Sequence, residues 1–192
     1  MKRGCGVGNY VIIFSKYGYK VTGIEISKSR LDIARKNCRK YKVKAKLILG
    51  DIKKMPFKNE SFDIVFCHGV VEHFPDSEKG VRELYRVLKK NGKAMISVPN
   101  KITFFEINKY LQILLGKILH KKIWRAGYER SFTKNQFEKI LIKEGFKIKD
   151  FYKVEVGKGR KYPFVGIILR ILDKPLLLFD QGGHFMIWLC EK

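Results

Sequence analysis

Short apolar runs bounded by glycine, proline or acidic residues alternate along this chain with longer stretches of helical period. Tyr10-Val11-Ile12-Ile13-Phe14 opens a first helix, which Lys16-Tyr17-Gly18 ends. Val21-Thr22-Gly23-Ile24 reads as a short strand that runs into Glu25. From Ser27 to Lys40 the residues Leu31, Ala34 and Cys38 fall at i, i+3 and i+7, one face of a helix with basic residues around the rest. Leu47-Ile48-Leu49-Gly50 is a second strand ending in Asp51, and residues 52–61 form a loop containing Met55-Pro56-Phe57. Phe62-Asp63-Ile64-Val65-Phe66 is a third strand, followed by Cys67-His68. Pro75-Asp76 then opens a helix from Ser77 to Lys89 with Val81, Leu84 and Leu88 inward and Asn91-Gly92 as its stop. Ala94-Met95-Ile96-Ser97-Val98 is the next strand.

The second half is less regular. In residues 100–127, Phe104, Ile107, Leu111, Leu114, Leu115 and Ile118 make an apolar helical face, with Lys117, His120, Lys121 and Lys122 at its C-terminal end. This stretch is expected to be a helical lid or insertion spanning 100–130, with membrane-surface contact as an alternative. Thr133-Lys134-Asn135-Gln136 fits a capping box, opening a helix with Phe137, Ile140 and Leu141 inward and Gly145 as its stop. Phe146 to Val156 reads as a strand. Residues 157–163 are a basic glycine-containing loop, and 164–179 a helix interrupted at Pro175. Phe185-Met186-Ile187-Trp188-Leu189 is a final strand.

Strands alternating with helices imply parallel crossovers and a doubly wound sheet. In such sheets ligands bind outside the carboxyl ends of the strands. Along this chain that edge receives Gly4-Cys5-Gly6-Val7-Gly8, then Glu25, Asp51 and His68. A glycine loop leading into a helix lets backbone approach a ligand, and the first N–H groups of the helix lack partners within it.

The series Gly-Cys-Gly-x-Gly, Val-x-Gly-Ile-Glu, Gly-Asp-Ile…Met-Pro-Phe…Ser-Phe-Asp-Ile-Val and Val-Val-Glu-His-Phe resembles the class I S-adenosylmethionine-dependent methyltransferases. The nearest branch is the small-molecule group that includes quinone and sterol methylases. The resemblance runs from residue 4 to about residue 99 and resumes weakly from Tyr128 to Phe151. It implies a Rossmann-like, mostly parallel sheet with an antiparallel C-terminal strand, in one domain over 1–192. It also implies S-adenosylmethionine as cofactor, held by Gly4, Cys5, Gly6, Glu25, Ile26, Asp51, Ile52 and His68. Glu25 would accept from the ribose hydroxyls and Asp51 from the adenine amino group, with Ile52 beside the ring. His68 and His73 are the candidate proton acceptors, and Tyr128, Glu129 and Arg130 are placed to close over a substrate. The expected acceptor is a small or lipid-like molecule, and no metal is expected. In the family an apolar strand ending in an acid precedes the glycine loop. Here only Met1-Lys2-Arg3 stand before Gly4, so the sheet is expected to lack its first strand.

Composition modifies this picture in two ways. A formal charge of +23 raises polyanion or membrane-surface contact as a possible partnership. An RNA methyltransferase is one alternative, although no Asn-Pro-Pro-Tyr-like motif accompanies the charge. A non-catalytic domain that binds a partner at its unpaired sheet interior is another. Cys5, Cys38, Cys67 and Cys190 are far apart, which argues against a disulfide or metal framework and fits a cytoplasmic protein, in contact with a membrane at most peripherally. A nicotinamide fingerprint, Gly-x-Gly-x-x-Gly/Ala, fails in both registers: Asn9 and Val11 occupy the last position.

Overall fold

The computed structural model of the chain describes residues 4–101, 128–154 and 185–192, together with Ile113 and Ile118. The 157–179 loop and helix, and the expected 100–130 lid apart from Asn100, Lys101, Ile113, Ile118 and residues 128–130, lie outside these residues. The glycine loop leads into α1 (Asn9–Lys16), then β1 (Val21–Glu25), α2 (Lys28–Lys40) and β2 (Ala45–Leu49). Ser27 caps α2 by accepting from the Arg30 amide, so the helix begins where its cap residue stands. β1 and β2 pair in parallel, Val21 opposite Ala45 and Glu25 opposite Leu49.

The remaining strands form a separate four-stranded sheet in the order β3 (Phe62–His68), β4 (Leu88–Pro99), β6 (Phe185–Glu191), β5 (Lys147–Val154). β3 and β4 are parallel, whereas β6 runs antiparallel to both neighbours. Between β3 and β4 the chain passes through a 3-10 turn (Val71–His73) and α3 (Ser77–Val87); α4 (Lys134–Lys143) precedes β5. Among the described residues no strand pairs with the second edge of β1 or of β3; the second edge of β1 carries only the Gly4–Glu25 bridge and the bond from the Cys5 amide to the Ile24 carbonyl.

α1 joins the two sheets. Val11 and Ile12 pack with Val21, Leu47 and Cys38, while Tyr10 and Phe14 set their rings 4.6 Å and 5.2 Å from Phe66 of β3. The main core lies on the opposite face of the large sheet. There Val81, Leu84 and Val87 of α3 and Phe137, Ile140 and Leu141 of α4 cover Ile96, Val98, Met186 and Trp188. Each such side chain, once buried, contributes about 1.5–3 kcal/mol. The capping box is present, with both Thr133–Gln136 bonds formed.

The end of α3 differs from expectation. The helix stops at Val87, and Leu88 is already extended and buried opposite Phe62. Asn91-Gly92 is therefore not a helix stop. It lies where β4 shifts register against β3, with Asn91 at φ 59°. An apolar Leu at helical spacing satisfies either an inward helix position or a strand pair. The sheet took it because Phe62 lies opposite Leu88 and the Lys192 ammonium donates to the Leu88 carbonyl, while the Lys192 backbone pairs with Asn91 and Gly92.

Candidate functional site

Glu25 is the centre of the glycine loop. Its Oε2 accepts from the Gly6 amide at 2.8 Å and its Oε1 from the Ser27 amide at 3.0 Å, so one carboxylate ties the loop to the start of α2. The side chain is fully buried. The Cys5 amide donates to the Ile24 carbonyl at 2.8 Å, and Gly4 bridges Glu25. A side chain at Gly4 would meet the Ile24 carbonyl at 2.4 Å, whereas a Cβ at Gly6 (φ +60°) would meet nothing within 4 Å. Gly4 is thus required by packing. Gly6 is an open cradle, which fits a ligand approaching the backbone. The Cys5 thiol turns toward Gly23 of β1, and burial together with Glu25 pushes it up to about 11. Its contribution to a ligand would come from backbone only.

Asp51 follows β2. Its Oδ1 accepts from the Lys53 amide at 2.9 Å and its carbonyl from the Lys54 amide at 3.1 Å, closing a turn over Asp51–Lys54. Lys53 lies 4.0 Å from Asp51 and 3.7 Å from Asp76. Ile52 is buried in the main core with Val71, while Ile26 is exposed beside Glu25.

His68 stands at the carboxyl end of β3. Its Nδ1 is 2.5 Å from the Ser97 hydroxyl, on the neighbouring residue of β4. Tyr10 lies edge-on at 5.8 Å and Phe185 at 5.0 Å. Because Tyr10 lies in the first turn of α1, directly after the glycine loop, this contact brings the end of β3 to the same edge as Glu25. Sequence reasoning placed Ser97 only as a strand residue. A lone hydroxyl inside Ala94-Met95-Ile96-Ser97-Val98 was the available signal.

His73 is set differently. Its Nδ1 lies 3.2 Å from the Tyr128 carbonyl, a group that only accepts, so the ring donates there. The Arg130 amide donates to the Glu72 carbonyl at 2.9 Å, and the guanidinium lies 4.0 Å from Glu78. His73 and residues 128–130 therefore fasten a returning segment onto the 3-10 turn. Ser131, next in that segment, is buried, and its hydroxyl has no hydrogen-bond partner among the described residues. Among the described residues no group of three or more His, Cys, Asp or Glu side chains is arranged for a metal ion, and no helix is long and apolar enough to cross a membrane.

This edge, with a glycine loop, acids after two parallel strands and a polar end to the third, belongs to a nucleotide-type cofactor fold. The chain is a member of the methyltransferase-domain family, whose model matches residues 1–96, half of its length. It is similar to the sterol 4-C-methyltransferase strm-1 of Caenorhabditis elegans, 28% identical over 95 residues, covering 48% of this chain and 28% of that protein. It is also similar to a ubiquinone biosynthesis O-methyltransferase of Coxiella burnetii, 27% identical over 113 residues, covering 59% and 47%. The chain thus spans less than half the length of either. A solved structure of an S-adenosylmethionine-dependent methyltransferase from Methanosarcina mazei superposes with a TM-score of 0.73 at 16% identity, over 100% of this chain and 93% of that one. The fold is that of the Rossmann-like class I methyltransferases.

Proposed function

We propose that the chain binds S-adenosylmethionine along this edge and transfers its methyl group to a small or lipid-like acceptor. The observation that carries the reading is the Glu25 carboxylate bonded to both Gly6 and Ser27. Each oxygen uses one acceptor position on backbone and keeps a second. Those second positions suit a pair of ribose hydroxyls once the loop admits the nucleoside. Gly4, Cys5 and Gly6 offer backbone to the amino-acid end, Asp51 accepts from the adenine amino group, and Ile26 and Ile52 flank the base.

The cofactor supplies a methyl group already activated by its positive sulfur. What remains for the protein is alignment, worth roughly 7–11 kcal/mol in well-oriented reactions. His68, held by Ser97 among three aromatic rings, is the group placed to take the proton of a hydroxyl or amine acceptor. His73 takes a positioning part. Residues 100–130 serve as an apolar lid within a single domain over 1–192. The basic surface supports peripheral contact with an anionic membrane or another polyanion.

Calorimetric titration with S-adenosylhomocysteine tests this. Micromolar binding by the wild-type chain that Glu25→Ala abolishes supports the reading, and a folded wild-type chain that binds none overturns it. One observation favours a second reading, a non-catalytic domain that takes a strand from another chain: among the described residues no strand pairs with the outer edge of β3, and β1 beyond β2 meets only Gly4 and Cys5. That reading gains if the folded chain ignores the cofactor.

A further inference from the structure

The turn that carries Asp51 is gripped from outside the site. Arg86 and Glu83, one helical turn apart on α3, form a two-point ion pair, Nε to Oε1 at 2.6 Å and an Nη to Oε2 at 2.8 Å. The pair then takes both main-chain groups of Met55. Glu83 Oε2 accepts from the Met55 amide at 2.8 Å, and Arg86 donates to the Met55 carbonyl at 3.1 Å. The same guanidinium donates to the Phe57 carbonyl at 2.7 Å and to Asn59 Oδ1 at 3.0 Å. All three nitrogens of Arg86 are engaged, each aimed at the 55–59 loop or at Glu83. Arg86 is less exposed than Arg82 on the same helix, 29% against 64%, and its partner Glu83 is 16% exposed. The pair therefore escapes most of the screening that makes surface ion pairs weak.

Met55 is the residue directly after the Asp51–Lys54 turn, and its side chain shares the core with Ile52. Holding the backbone of Met55 consequently fixes where the turn begins and ends, and with it the direction of the Asp51 carboxylate. We propose that Glu83 and Arg86 are positioning residues for nucleobase recognition: they hold the Asp51–Lys54 turn in the geometry that reads the adenine amino group. This rests on the cofactor reading above. A turn correctly placed only a tenth of the time binds about tenfold more weakly, because apparent affinity scales with the competent fraction.

The test compares S-adenosylhomocysteine with S-inosylhomocysteine, in which the amino group is replaced by a carbonyl. The wild-type chain is expected to prefer the adenosyl ligand by about tenfold or more, the worth of a hydrogen bond to a charged group. Arg86→Lys keeps the charge but loses the fork. It is expected to weaken S-adenosylhomocysteine about tenfold and to bring the ratio between the two ligands toward one. Arg82→Ala, on the same helix but away from the loop, should leave both affinities unchanged. Glu83→Gln serves as the second variant if Arg86→Lys does not fold, and the same collapse of the ratio is expected. A variant that melts earlier yet keeps the wild-type ratio has only a structural role at this position, which overturns the proposal while leaving the cofactor reading intact. A folded wild-type chain that binds neither ligand overturns both.

Discussion

The two sheets of this protein are built to different standards. In the four-stranded sheet, Met95, Ile96, Ile187 and Trp188 are fully enclosed, with helices on one face and the rings of α1 on part of the other. In the two-stranded sheet no residue of β2 is buried, and Leu49 is half exposed. Yet the two acids of the candidate site, Glu25 and Asp51, stand on the weaker half. The stronger half contributes His68, Ser97 and, through α3, the grip on the Asp51 turn. Ligand-binding elements are often drawn from the low-stability end of a structure. Here that end is held by the small apolar cluster of α1, α2 and the two strands, by the rings of Tyr10 and Phe14 on Phe66, and by the Glu25 and Asp51 bonds that fix its loops.

Removing Glu25 should have the largest effect. Loss of two charge-assisted bonds, roughly 1.5–3 kcal/mol each, predicts at least about a hundredfold weaker S-adenosylhomocysteine binding by calorimetry. Glu25→Ala also leaves the Gly6 and Ser27 amides without their acceptor, so its melting temperature should fall as well. If affinity survives, the weak half is not where the cofactor is read.

Paired truncations come next. Trp188 packs on Phe137 and Phe151 and donates to Glu138. Trp188→Ala should cost about 3–5 kcal/mol in urea unfolding. Leu47→Ala, at a half-buried site in β2, should cost less than about 2 kcal/mol. Equal costs would mean that the two halves are equally enclosed.

Phe66→Ala probes the joint. Removing the ring that meets Tyr10 and Phe14 should cost about 1–3 kcal/mol, below a full core truncation because Phe66 is only partly buried. Hydrogen exchange should then rise in β1 and β2 well before it rises in β4 and β6. A uniform rise would show the two sheets opening as one unit.

The smallest effect is a pH dependence. Hydrogen bonds from Arg86 hold the Glu83 carboxyl below its ordinary 4.5, against burial, which raises it. A carboxyl with a depressed folded-state value contributes stability that is complete above the unfolded value and fades as pH falls through the folded one. Thermal stability should therefore decline from about pH 4.5 downward, and Glu83→Gln should flatten part of that slope. A variant whose acid limb matches wild type would remove Glu83 from the account.

Most of the elements were legible in the chain because local rules and tertiary burial agreed. Leu31, Ala34 and Cys38 share a helix face, and all three are buried. Thr133 and Gln136 form the capping box that their spacing implies, and Phe185–Leu189 became the antiparallel strand. The exception, Asn91-Gly92, shows where local rules fail. Asn-Gly ends a helix or bends a strand equally well, and only the partners of Leu88 chose between them.

The candidate site divides in the same way. The order of the glycine loop, Glu25, Asp51 and His68 is a property of the sequence, because strand ends inherit whatever residue follows an apolar run. Which groups those side chains meet is not. Glu25 turns inward to two backbone amides, His73 holds a carbonyl, and Ser97 reaches His68 from another strand. Arg86 grips a loop about thirty positions back along the chain. A hydrogen bond depends on position and direction to within a fraction of an ångström. That precision comes only when distant segments pack, so the pattern of residues determined the fold and the candidate edge, and the tertiary structure alone decided the partners.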